Sequence, residues 1–163
     1  EGPGFNEDQQ GRPFVGASGK FLDELIASAG YKRSEVFIAN VVKCRPPGNR
    51  DPLPEEIEAC RAYLDAQIAL INPAVIVTLG RFSMARWFPG AKISAIHGRA
   101  RKIDGRTIVP MFHPAAALHQ PALRESIEAD FSGLRELIAA AGGDARAKPA
   151  AKPEPPPEQL SLF

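Results

Sequence analysis

An amide, an imidazole, an aromatic ring and several carboxylates stand where a small polar ring could be bound. Asn40 lies in one apolar run and His113 follows another, while the opening segment, rich in glycine and proline, supplies Phe14. An aromatic ring offers a surface for stacking, an amide reads the edge of a heterocycle, and an imidazole donates to developing charge. These residue types suit a planar polar heterocycle as ligand, although loops also carry them without any ligand. The accompanying carboxylates are Glu1, Glu7 and Asp8.

These side chains need a fold that brings distant segments to one edge. Two β-branched apolar runs, residues 36–42 and 74–80, predict strands buried on both faces, and residues 107–112 predict a strand that ends at His113. Ligands of an open α/β sheet bind beyond the carboxyl ends of its strands, which here present Asn40, Gly80 and His113. The alternation with helices predicts a three-layer α/β domain with a mostly parallel sheet. Helices are predicted at 21–29, 54–71, 82–87 and 123–141, and Asp104-Gly105 predicts a hairpin between 99–103 and 106–109.

The charge of the chain is nearly balanced, with 20 basic and 19 acidic residues, so the whole protein is not a generic binder of polyanions. Contact with nucleic acid would have to come from a local basic patch, such as residues 97–106 or the group Lys43, Arg45 and Arg50. Each patch alone is also explained as a solvated face. No apolar run approaches the roughly 20 residues that cross a bilayer, and no signal peptide is visible, so we expect a cytoplasmic protein.

The composition divides the chain into three parts. Residues 1–141 have the apolar periodicity of one folded domain, and the sequence opens at Glu1 inside a glycine–proline loop, so we expect this domain to be incomplete at its N-terminus. Residues 142–158 contain no large apolar side chain and predict a disordered linker rich in Ala, Pro, Lys and Glu. Residues 159–163 turn apolar again.

Three segments resemble, in the right order, the motifs of family 4 uracil-DNA glycosylases. The first motif is matched by Glu1-Gly2-Pro3-Gly4-Phe5-Asn6-Glu7-Asp8 with Gly11-Arg12-Pro13-Phe14-Val15-Gly16. The second is matched by residues 38–50, where Lys-Cys-Arg-Pro-Pro-Gly-Asn-Arg is very specific, and the third by residues 112–118. The resemblance covers residues 1–137. It implies a three-layer α/β/α fold with a four-stranded central sheet whose first strand would precede Glu1.

The resemblance also implies a role for each matching residue. Phe14 would stack on a flipped-out base, and Asn40 would accept from N3–H of uracil and donate to O4, which rejects cytosine. His113 would hydrogen-bond the uracil O2 and stabilise the anion that forms as the N-glycosidic bond breaks. Glu1 would stabilise the oxocarbenium-like sugar and orient water, with Glu7 and Asp8 as further acidic candidates.

Contact with DNA follows from the same resemblance. The base must leave the duplex before its glycosidic bond is reachable. Leu118, directly after the third motif, is a candidate wedge for the vacated space, unless it packs against the last helix instead. The basic residues from Arg99 to Arg106 would contact phosphates and add affinity without sequence information.

Two cysteines, Cys44 and Cys60, are too few for a disulfide framework and alone are not a metal site. Small buried cysteines would be the ordinary explanation. In the family that the chain resembles, these positions supply half of the ligands of a 4Fe–4S cluster, and the others come from an upstream Cys-x-x-Cys. Four thiolates are needed. We therefore expect the intact protein to bind a cluster that this sequence alone does not complete.

The terminal residues Gln159, Leu160, Leu162 and Phe163 resemble the peptide by which bacterial repair proteins bind the replicative sliding clamp. Apolar pockets would take the Leu and Phe side chains and a polar contact would take Gln159. A flexible tether would raise the local concentration of the enzyme at the replication fork. We expect a monomeric, nucleoid-associated enzyme with uracil-containing DNA and the clamp as partners.

Other functions stay open at this point. A related branch traps uracil-DNA covalently through a reactive histidine after the second motif, but residues 50–54 contain no histidine. A non-catalytic damage-binding module would have less use for Glu1, Asn40 and His113 together. An unrelated nucleotide-binding α/β protein lacks support, because neither a Walker loop nor Gly-x-Gly-x-x-Gly occurs.

Overall fold

A computed structural model describes residues 1–142 of the chain. The predicted clamp-binding peptide and, apart from Gly142, the predicted linker lie outside these residues. The described residues form three strands, which are β1 (Val75–Leu79), β2 (Arg101–Ile103) and β3 (Arg106–Met111). The helices are α1 (Phe5–Gln10), α2 (Ala17–Ser28), α3 (Pro54–Ile71), α4 (Arg81–Ala85), α5 (Ile93–Ile96), α6 (Ala115–His119), α7 (Arg124–Ser132) and α8 (Leu134–Ala140).

The three strands form one mixed sheet in the order β1-β3-β2. β1 and β3 are parallel, with register from Val75 opposite Thr107 to Leu79 opposite Met111. β2 is antiparallel to β3 through the turn at Asp104-Gly105, where both residues have positive φ. A two-residue turn of this kind matches the twist of a hairpin, so the predicted hairpin is confirmed.

Both faces of the sheet are covered by helices. Ile108 points to one face, where it packs with Met84 and Phe88. Val109 and Met111, which alternate with Pro110 along β3, point to the other face. There they join a larger core built mainly by α2 and α7. This alternation along β3 places one apolar layer on each side, and the predicted α/β class is confirmed. The larger core contains, among others, Phe21, Leu22, Leu25, Ile127 and Phe131.

A proline lies inside the central strand without interrupting it. Pro110 is fully buried and its carbonyl accepts a hydrogen bond from Gly98 N at 2.8 Å. The carbonyl of the next residue, Met111, accepts from Gly80 N on the β1 side. Since consecutive residues of a strand point their backbone groups to opposite neighbours, the missing N–H of Pro110 faces the β2 side, beyond the end of β2. The proline therefore removes no hydrogen bond from the ladder between β3 and β1.

The prediction of a buried strand at residues 36–42 is wrong for the described chain. Residues 37–40 carry no regular structure, and the side chain of Phe37 is 61 % exposed. Strands need a neighbour for their backbone hydrogen bonds, and among the described residues the edge strand β1 pairs with β3 but not with residues 36–42. The amides of Val41 and Val42 instead donate to the carbonyl of Glu1, at 2.9 and 3.1 Å. Apolar, β-branched composition predicted the strand, but composition does not supply a partner.

Helix boundaries differ from the predictions at both ends of the chain. The opening segment, predicted as a loop, contains α1 and the start of α2. The last helix, predicted to be continuous, divides at Gly133 into α7 and α8. The predicted α3 is confirmed, with Pro54 in its first turn, and the Glu56 carboxylate accepts from Leu53 N at 2.8 Å. Among the described helices, none combines the length and apolar character required to cross a bilayer.

Candidate active site

A cleft of about 270 Å³ opens at the carboxyl ends of β1 and β3. It brings together most of the catalytic and base-binding residues that the sequence singled out, from three separate segments of the chain. Parallel strands end at the same edge of a sheet, which explains why the loops after them meet. The predicted site residues that line the cleft are Glu1, Glu7, Phe14, Asn40 and His113.

The imidazole of His113 is held in one orientation and one tautomer. Its Nδ1 accepts a hydrogen bond from the backbone N–H of Ala115 at 3.1 Å. An accepting Nδ1 carries no proton, so the neutral ring has its proton on Nε2. Burial lowers the pKa of His113 to about 4, because the charged imidazolium would lose its hydration there. At neutral pH the residue is therefore an uncharged imidazole with an Nε2–H donor.

The ring of Phe14 is buried and stacks on that imidazole. The two ring centroids are 5.3 Å apart and the planes differ by 24°. Phe14 has a φ of 54°, in the left-handed region that bulky residues rarely adopt. The sequence predicted an aromatic ring in the site, but not this backbone conformation.

Glu1 and His113 both lie close to Gly80, the residue that follows β1. A Cβ on Gly80 would be 3.4 Å from Glu1 Oε1 and 3.2 Å from His113 Cβ. Gly80 also has a φ of 88°, so glycine provides both the backbone conformation and the space. The Glu1 carboxylate is thereby placed beside the imidazole.

The segment that carries Asn40 is fixed by contacts other than a strand ladder. The ammonium of Lys43 donates to the carbonyl of Asn40 and to Gln67 Oε1 on α3, both at 2.8 Å. Burial lowers the pKa of Lys43, while negative charge on Cys60 would raise it. Together with the hydrogen bonds from Val41 and Val42 to Glu1, these contacts hold the amide at the cleft.

Glu7 is occupied by backbone amides. Its Oε1 accepts from Val15 N and Gly16 N, both at 2.9 Å. Burial alone would raise the pKa of Glu7, but hydrogen bonds from backbone amides, first that of Gly16, bring it below its ordinary value. The carboxylate therefore stays ionised and joins α1 to the start of α2.

Not every predicted site residue lines the cleft. Asp8 lies instead on a neighbouring cavity of about 290 Å³, which also includes Lys43 and Gln67. Leu118 is on α6, which follows the His113 loop, and is 49 % exposed. Three cleft residues with polar side chains were not predicted as base contacts from the sequence: Ser18, Asn49 and Arg50. Asn49 and Arg50 stand in the second motif, which was the signal available for them.

The two cysteines lie close together. Cys44 is exposed, and the Sγ of Cys60 accepts from the N–H of Lys43, the residue before Cys44, at 3.2 Å. This contact holds the Cys60 sulfur beside the segment that carries Cys44. Within residues 1–142, no group of three or more Cys, His, Asp or Glu side chains could hold a metal ion. Cys44 and Cys60 could supply two ligands of a metal site, and residues 1–142 do not supply the remaining ligands.

Comparison with known proteins identifies relatives over nearly the whole described chain. The model of the uracil DNA glycosylase superfamily matches residues 1–135. A type-4 uracil-DNA glycosylase from Sulfurisphaera tokodaii is 49 % identical, with 84 % of this chain and 67 % of that protein covered. The type-4 enzyme of Archaeoglobus fulgidus is 47 % identical (84 % and 73 % covered), and that of Thermotoga maritima is 45 % identical (85 % and 74 % covered).

Proposed function

The chain belongs to the uracil DNA glycosylase superfamily, and from this premise we propose that it acts as a type-4 enzyme, hydrolysing the N-glycosidic bond of deoxyuridine in DNA. The products are free uracil and an abasic site, the starting point of base excision repair. The observation that carries the proposal is the neutral, oriented imidazole of His113 in one cleft with Phe14 and Asn40.

The cleft supports recognition of a flipped-out uracil. The ring of Phe14 provides a stacking surface, which binds any base. The amide of Asn40 provides the selection, because its oxygen accepts from N3–H and its NH₂ donates to O4. Cytosine presents an acceptor at N3 and an amine at C4, so both contacts would be lost and left desolvated.

Bond cleavage then uses two further groups. As the bond from C1′ to N1 breaks, its electron pair moves into the uracil ring, and the Nε2–H of His113 donates to O2, where negative charge grows. A neutral imidazole donor suits this role, because it need not lose a proton to the product. The Glu1 carboxylate stabilises the positive sugar and orients the water that adds to C1′. The proton that this water loses neutralises the released uracil anion, which gives free uracil and the abasic sugar.

Contacts to DNA are proposed for residues around the cleft. Arg50 at the rim pairs with Glu56 at 2.7 Å and lies where a phosphate beside the flipped nucleotide would pass. The exposed Leu118 is proposed as the wedge that fills the vacated place in the duplex. A DNA substrate is also the basis for expecting the enzyme in the cytoplasm with the nucleoid.

We propose Cys44 and Cys60 as two of four ligands of a 4Fe–4S cluster. The support is their proximity and the N–H directed at Cys60. The cluster, when bound, would link the Cys44 loop to α3 and so stabilise the segment that carries Asn40. The sequence contains two cysteines, so a complete cluster needs two thiolates from beyond it.

An oligonucleotide with a single uracil tests the activity. We expect the full-length protein, purified anaerobically, to yield strand breaks after alkali, and His113→Ala to lower the rate about 10²- to 10³-fold. Asn40→Ala should abolish discrimination and activity together. Asn72→Gly is the matched control, because it removes an amide outside the cleft at a position whose φ of 45° suits glycine.

Two other outcomes would contradict the proposal. An SDS-resistant protein–DNA complex without released uracil would indicate covalent trapping. Neither product nor complex, from folded and cluster-loaded protein, would indicate a non-catalytic binding protein.

The C-terminal peptide is a separate proposal. We propose that residues 159–163 bind the sliding clamp, because the chain becomes apolar there after a stretch without large apolar side chains. We also propose that the enzyme is a monomer. A pull-down with the clamp should fail for the double variant Leu162→Ala, Phe163→Ala and persist for Ser161→Ala. Unchanged binding of the double variant would refute it. Light scattering of the purified protein measures its oligomeric state.

A further inference from the structure

The Phe14 ring, which lines the cleft, is carried by a strained backbone. Phe14 has a φ of 54°, and a bulky residue adopts this conformation only where its surroundings impose it. The ring is nevertheless well ordered by contact, since it is 8 % exposed and stacks on His113. The left-handed backbone also needs support, and contacts to the backbone of residues 13 and 14 provide it.

The first of these contacts is made by Gly19 in α2, whose missing side chain leaves a gap in the helix surface that we call the notch. Gly19 lies in the first turn of this helix, and its Cα faces the carbonyl group of Phe14. A Cβ at Gly19 would be 2.0 Å from the Phe14 oxygen and 2.3 Å from its carbonyl carbon. Both atoms are backbone, so no side-chain rotation relieves the clash. The backbone of Phe14 can approach α2 this closely only because residue 19 is glycine.

A second contact comes from Arg33, outside the cleft. Its Nη2 donates to the carbonyl of Pro13 at 2.6 Å. Its Nη1 pairs with Asp23 on α2 at the same distance. The guanidinium thus ties the peptide directly before Phe14 to the helix that carries the notch. A planar group with fixed donors suits this double contact.

We propose that Gly19 and Arg33 are positioning residues that set the plane of the Phe14 ring for stacking on the base. Neither lines the cleft, and neither touches the base or the bond that breaks. The proposal rests on the proposed glycosylase function. Gly19 and Arg33, although they do not line the cleft, would thus contribute to substrate binding through the position of the Phe14 ring.

The test compares Gly19→Ala and Arg33→Met with matched controls in the full-length protein. Gly133→Ala is the control for a glycine in helical conformation, since its φ is −76° and the nearest atom to a new Cβ is 3.8 Å away. Arg61→Met removes an exposed arginine that also makes ion pairs. The measured quantities are kcat, KM for a uracil-containing oligonucleotide, and inhibition by free uracil.

A displaced ring weakens ground-state and transition-state binding alike, so KM and the uracil inhibition constant should rise about tenfold while kcat changes little. A purely structural defect would instead reduce the active fraction, which lowers kcat at constant KM. In a Phe14→Ala background both substitutions should lose most of their effect, because the ring through which they act is gone.

The inference is overturned if KM stays at the wild-type value, or if the effects persist undiminished in the Phe14→Ala background. If circular dichroism shows that Gly19→Ala does not fold, the test rests on Arg33→Met and on the double-mutant cycle that combines it with Phe14→Ala. An inactive wild-type enzyme would refute the proposed function, whereas an active wild type with unaffected variants would refute only this inference.

Discussion

Protonation of His113 should make the stability of the protein depend on pH. Its pKa of about 4 in the folded state lies below the 6.5 of an ordinary imidazole. Between these values the unfolded chain takes up a proton at this residue and the folded chain does not, so the free energy of unfolding falls as the pH drops. This one group should cost about 2 kcal/mol by pH 5 and about 3 kcal/mol by pH 4, relative to pH 8.

Replacement of His113 by glutamine isolates this contribution. Urea denaturation of wild type and His113→Gln at pH 8, 6 and 5 should show a smaller loss of stability in the variant, by about 2 kcal/mol at pH 5. His119→Gln, which removes an exposed imidazole, is the control and should follow the wild type. Equal pH dependence in wild type and His113→Gln, or an NMR titration of His113 near 6.5, would refute the reasoning.

Two further predictions concern groups that hold the cleft. Glu7→Ala leaves the amides of Val15 and Gly16 without their acceptor, so we expect about 1–3 kcal/mol of lost stability in urea denaturation, with partial recovery in Glu7→Gln; full stability of Glu7→Ala would contradict this. Gly80→Ala should lower kcat at least about tenfold, because the new methyl group lies 3.2 Å from His113 Cβ and displaces the imidazole. Gly105→Ala imposes similar backbone strain in open space, so it should lose stability but keep kcat, and equal kcat losses would show that crowding is not the cause.

The elements that the sequence predicted well are those specified by local chemistry. Asp104-Gly105 predicted the hairpin because its turn requires two residues that accept positive φ. Pro54 marked the start of α3, and the apolar run at residues 75–79 formed a strand. The run at residues 36–42 has a similar composition, but a strand also needs a neighbour, which no local pattern specifies.

The same distinction applies to the cleft. Residue types and motif order predicted that Glu1, Phe14, Asn40 and His113 would come together, and the structure places all four on one cleft. The tautomer of His113 was not predictable, since it depends on the position of the Ala115 amide after folding. Nor was the backbone of Phe14, which depends on close approach to a helix that follows it in sequence.

Pro110 has a consequence for how the sheet can assemble. β2 begins at Arg101, opposite Ile108, and a slip of two residues along β3 would set Arg101 opposite Pro110. Because the side of Pro110 that faces β2 has no amide to offer, the slipped hairpin would lack a ladder hydrogen bond in a buried strand. A single proline thus acts against misregistered pairing.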